Sequence, residues 1–283
     1  MKNLKLSLTI LLLAGIGVFS ACQKDQMNTD LQNEDITREA NVAFADHQSA
    51  YVDALTQAVS WNVITPLNSA SVLSPCSTVT YDTSSVVKTV TIDFGSVPCQ
   101  VPNGEEFRQG TLIITWTGNM LDSGTVKTIT PQNYYVGDSA SRMNKFEFSK
   151  TITNMGKNEK GNTHFLVEMK NATLTLWDGG TITWNGNHDR EWVQGAQTPN
   201  RSDDVFLITG GSNGIDRKGE PFTAEILKPL RKDDCEWIVS GTKIVTHGDN
   251  SSRTIDYGDG NCDDLATVTL SNGTTRTIHI DKP

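Results

Sequence analysis

From about Ala70 to its end the chain alternates apolar and polar residues with a period of two, and that pattern confines it to half-buried β-strands. Val90, Ile92 and Phe94 alternate with Thr89, Thr91 and Asp93; Ala172, Leu174 and Leu176 alternate with Thr173 and Thr175; Ala266, Val268 and Leu270 alternate with Thr267 and Thr269. The 34 threonines suit the solvated face of such strands, because β-branched side chains fit a pleated surface. Asp178-Gly179-Gly180, Asn185-Gly186 and Asn272-Gly273 read as turns, the last with type I′ chemistry. The fold class is therefore mainly β: an antiparallel, sandwich-like β-domain over 65–283, preceded by one N-terminal helix.

That helix is read from a change of period. Ile36, Ala40, Ala43, Phe44, Tyr51, Leu55, Ala58 and Val59 recur at helical spacing with no Gly or Pro between them. The pattern predicts an amphipathic helix over 37–64, capped by Asp35 or Thr37 and closed by the Thr65-Pro66 step, with one apolar face on the β-domain.

The β-region contains a duplication. Cys76 leads through a strand to Thr91-Ile92-Asp93-Phe94-Gly95 and Cys99; Cys235 leads in the same way to Thr254-Ile255-Asp256-Tyr257-Gly258 and Cys262. Smaller echoes lie between them: Lys160-Gly161 leads to Phe165 and Glu168 as Lys218-Gly219 leads to Phe222 and Glu225. Two related modules account for these matches. Four cysteines allow three pairings, and sequence alone does not choose among them. The duplication does, giving each module its own bridge, Cys76 to Cys99 and Cys235 to Cys262. None of the four lies two to four residues from another, so a zinc site is not expected among them.

The first 22 residues address the chain. Lys2 and Lys5 precede an apolar core from Leu6 to Val18, too short to span a bilayer and built like a secretory signal over 1–21. Ser20-Ala21-Cys22 resembles the lipobox of bacterial lipoproteins, which implies cleavage before Cys22 and lipidation of its sulfur and amine; several acyl chains anchor far more firmly than one. Residues 22–36 are polar without periodicity and read as a disordered tether. The start Cys22-Gln23-Lys24-Asp25 resembles the export signal of Bacteroidetes surface lipoproteins. It implies a lipid-anchored outer-membrane protein, at the cell surface or facing the periplasm.

With 33 acidic and 24 basic residues the net charge is −9, which disfavours a nucleic-acid partner. Motifs for catalysis are sparse. The five histidines form no His-Glu-x-x-His pattern, and Thr209-Gly210-Gly211-Ser212-Asn213-Gly214, which spells Gly-x-Ser-x-Gly over its last five residues, lacks the following helix of a nucleophile elbow and the Lys-Ser/Thr of a phosphate loop. His188 and Asp189 stand together in a charged stretch that reads as a solvated loop. Asp256, Asp259, Asn261 and Asp263 sit on a Gly-bent turn and offer oxygens of the kind calcium takes, the one cofactor the sequence suggests. Trp177 and Trp184 flank a turn and could stack on sugar rings, although parity places Leu174, Leu176, Ile182 and Trp184 inward.

These elements together, above all Ile92-Asp93-Phe94-Gly95…Cys99 and Ile255-Asp256-Tyr257-Gly258-Asp259-Gly260-Asn261-Cys262-Asp263, resemble a group of Bacteroidetes lipoproteins. The resemblance implies location and architecture and supplies no mechanism. The expected function is a non-catalytic surface binding or structural module with a glycan or protein partner; the alternatives are an adhesin or filament-type assembly subunit and a hydrolase of unrecognised class.

Overall fold

The computed structural model describes residues 21–62, 75–101, 106–198, 200 and 202–282. The expected signal, up to residue 20, and the Thr65-Pro66 step lie outside them. One helix, α1, runs over Ala21–Asn62. The strands that follow are β1 (Thr78–Asp82), β2 (Val87–Asp93), β3 (Cys99–Gln100), β4 (Phe107–Thr117), β5 (Val126–Ser139), β6 (Arg142–Lys157) and β7 (Thr163–Thr175). Then come β8 (Thr181–Gln194), β9 (Val205–Ile215), β10 (Pro221–Lys232), β11 (Ile238–His247), β12 (Ser252–Asp259), β13 (Leu265–Thr269) and β14 (Thr275–His279). Two compact units are present, residues 1–35 and residues 36–283. In the first, backbone that composition reads as a tether over 22–36 is helical from Ala21; the stretch has no Gly or Pro to interrupt a helix.

In the second unit the strands form one antiparallel sheet in which each strand pairs with its sequence neighbours, save that β2 and β3 both pair with β4. This is the mainly antiparallel, sandwich-like body expected, reached by a continuous meander. The sheet folds around the helix. Side chains from β4, β5, β6, β8, β11 and β12 all reach it, through Arg108 to Gln48, Lys127 to Thr56, Lys150 to Ser49, Arg190 to Gln57, Lys243 to Asp46 and Arg253 to Glu39. Phe44, Val52, Leu55 and Val59 join Ile92, Ile114, Leu174, Val245, Ile255 and Ile278 in one core.

The amphipathic reading of the helix needs correction. Glu39, Asn41, His47, Gln48, Thr56 and Ser60 are as buried as Phe44 and Leu55, so every face of residues 38–60 is largely covered. A helix packed on a flat sheet keeps one wet face, whereas one enclosed by a curling sheet keeps none.

Local chemistry explains the meander. Five hairpins close with the same three-residue loop: the first strand's last N–H reaches the carbonyl four residues on, and the fourth residue's N–H returns to the first carbonyl. They begin at Asn158, Leu176, Asp216, His247 and Leu270, and the fourth residue has positive φ in each (Gly161, Gly179, Gly219, Asn250, Gly273). This is the type I turn with a left-handed bulge residue. The Lys160-Gly161 and Lys218-Gly219 echoes are two instances of it, with Asn158 and Asp216 side chains accepting the same two backbone N–H groups. Asn272-Gly273 is thus not a type I′ turn, since only Gly273 has positive φ, and Asn185-Gly186 lies inside β8 rather than at a turn.

The two related modules fall at the two ends of the strand order, bracketing β1–β2 and β11–β12. Their bridges are those expected, Cys76–Cys99 and Cys235–Cys262, with Cα separations of 6.0 and 5.6 Å. Each such loop closure contributes roughly 3 kcal/mol on the chain-entropy account. The internal match is close. Asp93 Oδ1 accepts the Gly95 N–H at 2.8 Å and Asp256 Oδ1 accepts the Gly258 N–H at 2.9 Å. Phe94 and Tyr257, the residues between, are both buried.

Candidate functional site

The enclosed helix carries three carboxylates seven residues apart, Glu39, Asp46 and Asp53, which two helical turns bring onto nearly one stripe. Each meets cations from the sheet. Glu39 accepts from His247 Nε2 at 2.7 Å, with Arg253 Nε at 3.9 Å. Asp46 pairs with Lys243 at 2.5 Å and accepts from the Tyr257 hydroxyl at 2.9 Å. Asp53 pairs with Lys150 at 2.5 Å, with Arg190 at 3.8 Å. Lys150 and Lys243 are completely buried, their aliphatic stems in the core and their ammonium groups on the helix.

Between Asp46 and Asp53 along the helix, His47, Gln48 and Tyr51 hold a second knot. Arg108 is fully buried and donates to Gln48 Oε1 (3.0 Å), Tyr134 OH (2.7 Å) and Glu106 Oε2 (2.5 Å), with its guanidinium 3.6 Å from the centre of the Tyr51 ring. Glu106 Oε1 accepts from Gln48 at 2.9 Å and faces His47 Nε2 at 3.1 Å. Burial works to neutralise Glu106, but Arg108 and His47 outweigh it and hold the carboxyl down at about 2. Burial pushes the Tyr134 phenol up to about 12.

Beside this knot opens a cleft of about 510 Å³ between the helix and the segment from β9 to the loop before β11. Ala54 and Gln57 form the helical wall, Phe206 and Ile208 the strand wall, and Lys232 and Glu236 the rim. The Arg190 guanidinium sits over the Phe206 ring, 3.8 Å from its centre, and donates to Gln57. Burial drives the two rim groups toward neutrality: the Lys232 ammonium comes down to about 8, and the Glu236 carboxyl goes up, with the Glu106 charge adding to the rise. A cleft of this size, its apolar walls interleaved with charged side chains such as Asp53, Arg190, Asp204 and Asp234, has the dimensions of a small-molecule site. A second, more open trough of about 550 Å³ is lined by Asn171, Asn185, Asn187, Ser212 and Asn213.

The residues singled out in the sequence are arranged otherwise. Trp184 is 8% exposed and stacks on Phe146 in the core at 5.6 Å between ring centres, while Trp177 is 54% exposed. The two do not form one platform; parity along β8 turns Trp184 inward. Asp256, Asp259 and Asp263 spend oxygens on turns, on the N–H of Gly258, the Asn261 amide and the N–H of Leu265. Among the described residues, two carboxylates and a histidine bring ligand atoms within 4.8 Å of one another at Glu106 and Glu236 with His47, and at Asp264 and Asp281 with His279. His188 and Asp189 lie in β8, not in a solvated loop. Burial, then the Lys243 charge, pushes the His188 imidazole down to about 4, while Asp189 faces the other way and accepts from His164 Nδ1 at 2.6 Å. Cys22 falls in the helical backbone of the first unit.

The cleft residues were missed because nothing in Ala54, Gln57 or Glu236 distinguishes them locally. One signal was available: acids at 39, 46 and 53 in a helix otherwise read as packing on a core call for buried cations opposite.

Fold and cleft together define a class: an antiparallel β-meander wrapped on a buried polar helix, with a ligand-sized cleft beside that helix. Comparison with protein-family models, with curated proteins and with solved structures finds no match.

Proposed function

We propose that this is a lipid-anchored cell-envelope protein that binds a saccharide-sized ligand, without chemistry, in the cleft beside α1. The observation that carries the reading is the cleft itself, about 510 Å³, with Ala54, Ala58 and Ile208 as apolar wall and Lys232, Asp234 and Glu236 among its polar groups. Sugar rings present apolar C–H faces and a hydroxyl periphery, and such a lining can serve both. The anchor rests on the Ser20-Ala21-Cys22 pattern. The glycan site thereby moves from the Trp177 and Trp184 pair to the cleft.

A binder is favoured over a hydrolase built on Glu236 and Glu106 because Glu106, which shares His47 with Glu236, has both oxygens committed to His47, Gln48 and Arg108. A pair for acid–base hydrolysis needs its second carboxylate free to reach a water or the sugar. Assembly by strand addition fits less well: the edge strands β1 and β14 are five residues each and largely polar, features that discourage edge pairing.

Ala54 is exposed on the helix and faces the cleft, so Ala54→Trp is expected to fill it while sparing the core. On a glycan array the natural chain should bind a defined subset and the variant should lose at least tenfold in affinity; equal binding by both removes the cleft from the function. For the anchor, labelled fatty acid fed to cells should be incorporated by the natural chain and not by Cys22→Ser. Label persisting in that variant would rule out lipidation at this position.

A further inference from the structure

We propose that Asp264, His279 and Asp281 form a divalent-cation site of the zinc class, separate from the cleft. The three residues come from the last hairpin. Asp264 immediately precedes β13, His279 ends β14 and Asp281 follows it. They offer two carboxylate oxygens and one imidazole nitrogen, all within 4.8 Å of one another.

The backbone that carries them is tied down at several points. Leu265 and His279 are register partners in the β13–β14 pair, and the Ile280 N–H donates to the Asp264 carbonyl at 2.8 Å. Cys262, two residues before Asp264, is bridged to Cys235. The first two ligand atoms already face each other, His279 Nδ1 lying 2.5 Å from Asp264 Oδ2.

Asp281 is the independent observation. It is only 8% exposed, and its Oδ1 is buried with no hydrogen-bond partner. An unmatched buried carboxylate oxygen is costly, and a cation held by the same three residues would satisfy it.

The donor set selects the metal. Calcium takes six to eight oxygens at about 2.3–2.6 Å, whereas one imidazole with two carboxylates suits zinc at about 2.0–2.2 Å, with an open position left for water. The other histidine–carboxylate group, His47 with Glu106 and Glu236, already holds the Arg108 guanidinium against Glu106 and so repels a second cation.

The test titrates zinc and, separately, calcium into the metal-stripped chain and follows binding by competition with a chromogenic chelator and by native mass spectrometry. One zinc per chain is expected, weakened at least tenfold by Asp281→Asn and by His279→Ala, with no calcium bound at the same concentrations. His279 is exposed, so its variant folds even where the buried Asp281→Asn does not. Failure to bind zinc, unchanged affinity in His279→Ala, or loss of the ion in Glu236→Gln instead would overturn the proposal, and calcium binding at this site would overturn its zinc-class assignment.

Discussion

Replacing Asp53 by alanine should destabilise the protein by about 3–5 kcal/mol, the cost typical of removing one partner from a buried ion pair. Asp53 stands on the enclosed helix with Lys150 at 2.5 Å and Arg190 at 3.8 Å, and Lys150 is completely buried. Without the carboxylate, Lys150 retains only the Ser49 carbonyl and hydroxyl, each at 2.9 Å, which satisfy donors but carry no compensating charge. Burial already pushes the Lys150 ammonium downward, and Asp53 is the main influence opposing it. The double variant Asp53→Ala with Lys150→Met should therefore recover much of the loss, because the stranded charge goes with its partner. Urea midpoints for the two single variants and the double supply the cycle. A single-variant cost below about 1 kcal/mol, the range of exposed pairs such as Lys145–Glu147, would mean that the helix–sheet charges are screened by water.

Lys127→Met should do the opposite and stabilise the protein, by about 2–3 kcal/mol at pH 7. Lys127 is 5% exposed, and its ammonium donates only to Thr56 Oγ1, at 3.3 Å, among the described contacts. Burial pushes it down to about 7; Asp53 opposes, and Arg190 and Lys150 add to the fall. The sign follows from proton counting. Between about pH 7 and the ordinary lysine value of 10.5 the unfolded chain holds a proton that the folded chain releases, so stability rises with pH across that window. A depression of this size corresponds to about 4–5 kcal/mol at the acid end of the window, since each pK unit is about 1.4 kcal/mol. Loss of the Thr56 contact and imperfect packing of Met offset part of the gain. The advantage of the variant should shrink as pH rises toward 10.5, as measured by denaturant midpoints across pH. A variant less stable than the natural chain at pH 7 would show that Lys127 is better compensated than its contacts indicate.

Much of the body was legible because its signals are local. Alternation at Val90–Phe94 and Ala266–Leu270 places the same residues inward in the folded chain, since a strand's period does not depend on what it packs against. The repeated Ile-Asp-aromatic-Gly element identified both bridges, and the structure shows why the element recurs: Asp93 and Asp256 each cap a tight turn that buries the intervening ring. The same local duty occupies one oxygen of Asp256, which the sequence offers as a metal ligand. Its oxygen serves the backbone, while the acid two beyond Cys262, Asp264, meets a histidine 15 residues away.

Reach in space was the part left out. Glu236 and Glu106 come together although 130 residues separate them, and Trp184 leaves Trp177 because the pleat, not the turn, governs its direction.

Sequence alone determined the strand pattern and the existence of a helix before it, because each depends on spacing within one stretch of chain, and the cysteine pairing, because two copies of one local element each carry their own pair. Tertiary structure alone decided that the sheet closes over the helix, which turns Glu39, Asp46 and Asp53 from surface charges into partners of buried lysines, arginines and a histidine. It also decided where the cleft opens. Enclosure depends on how twist and curl accumulate over many strands, and no single window of sequence records that sum.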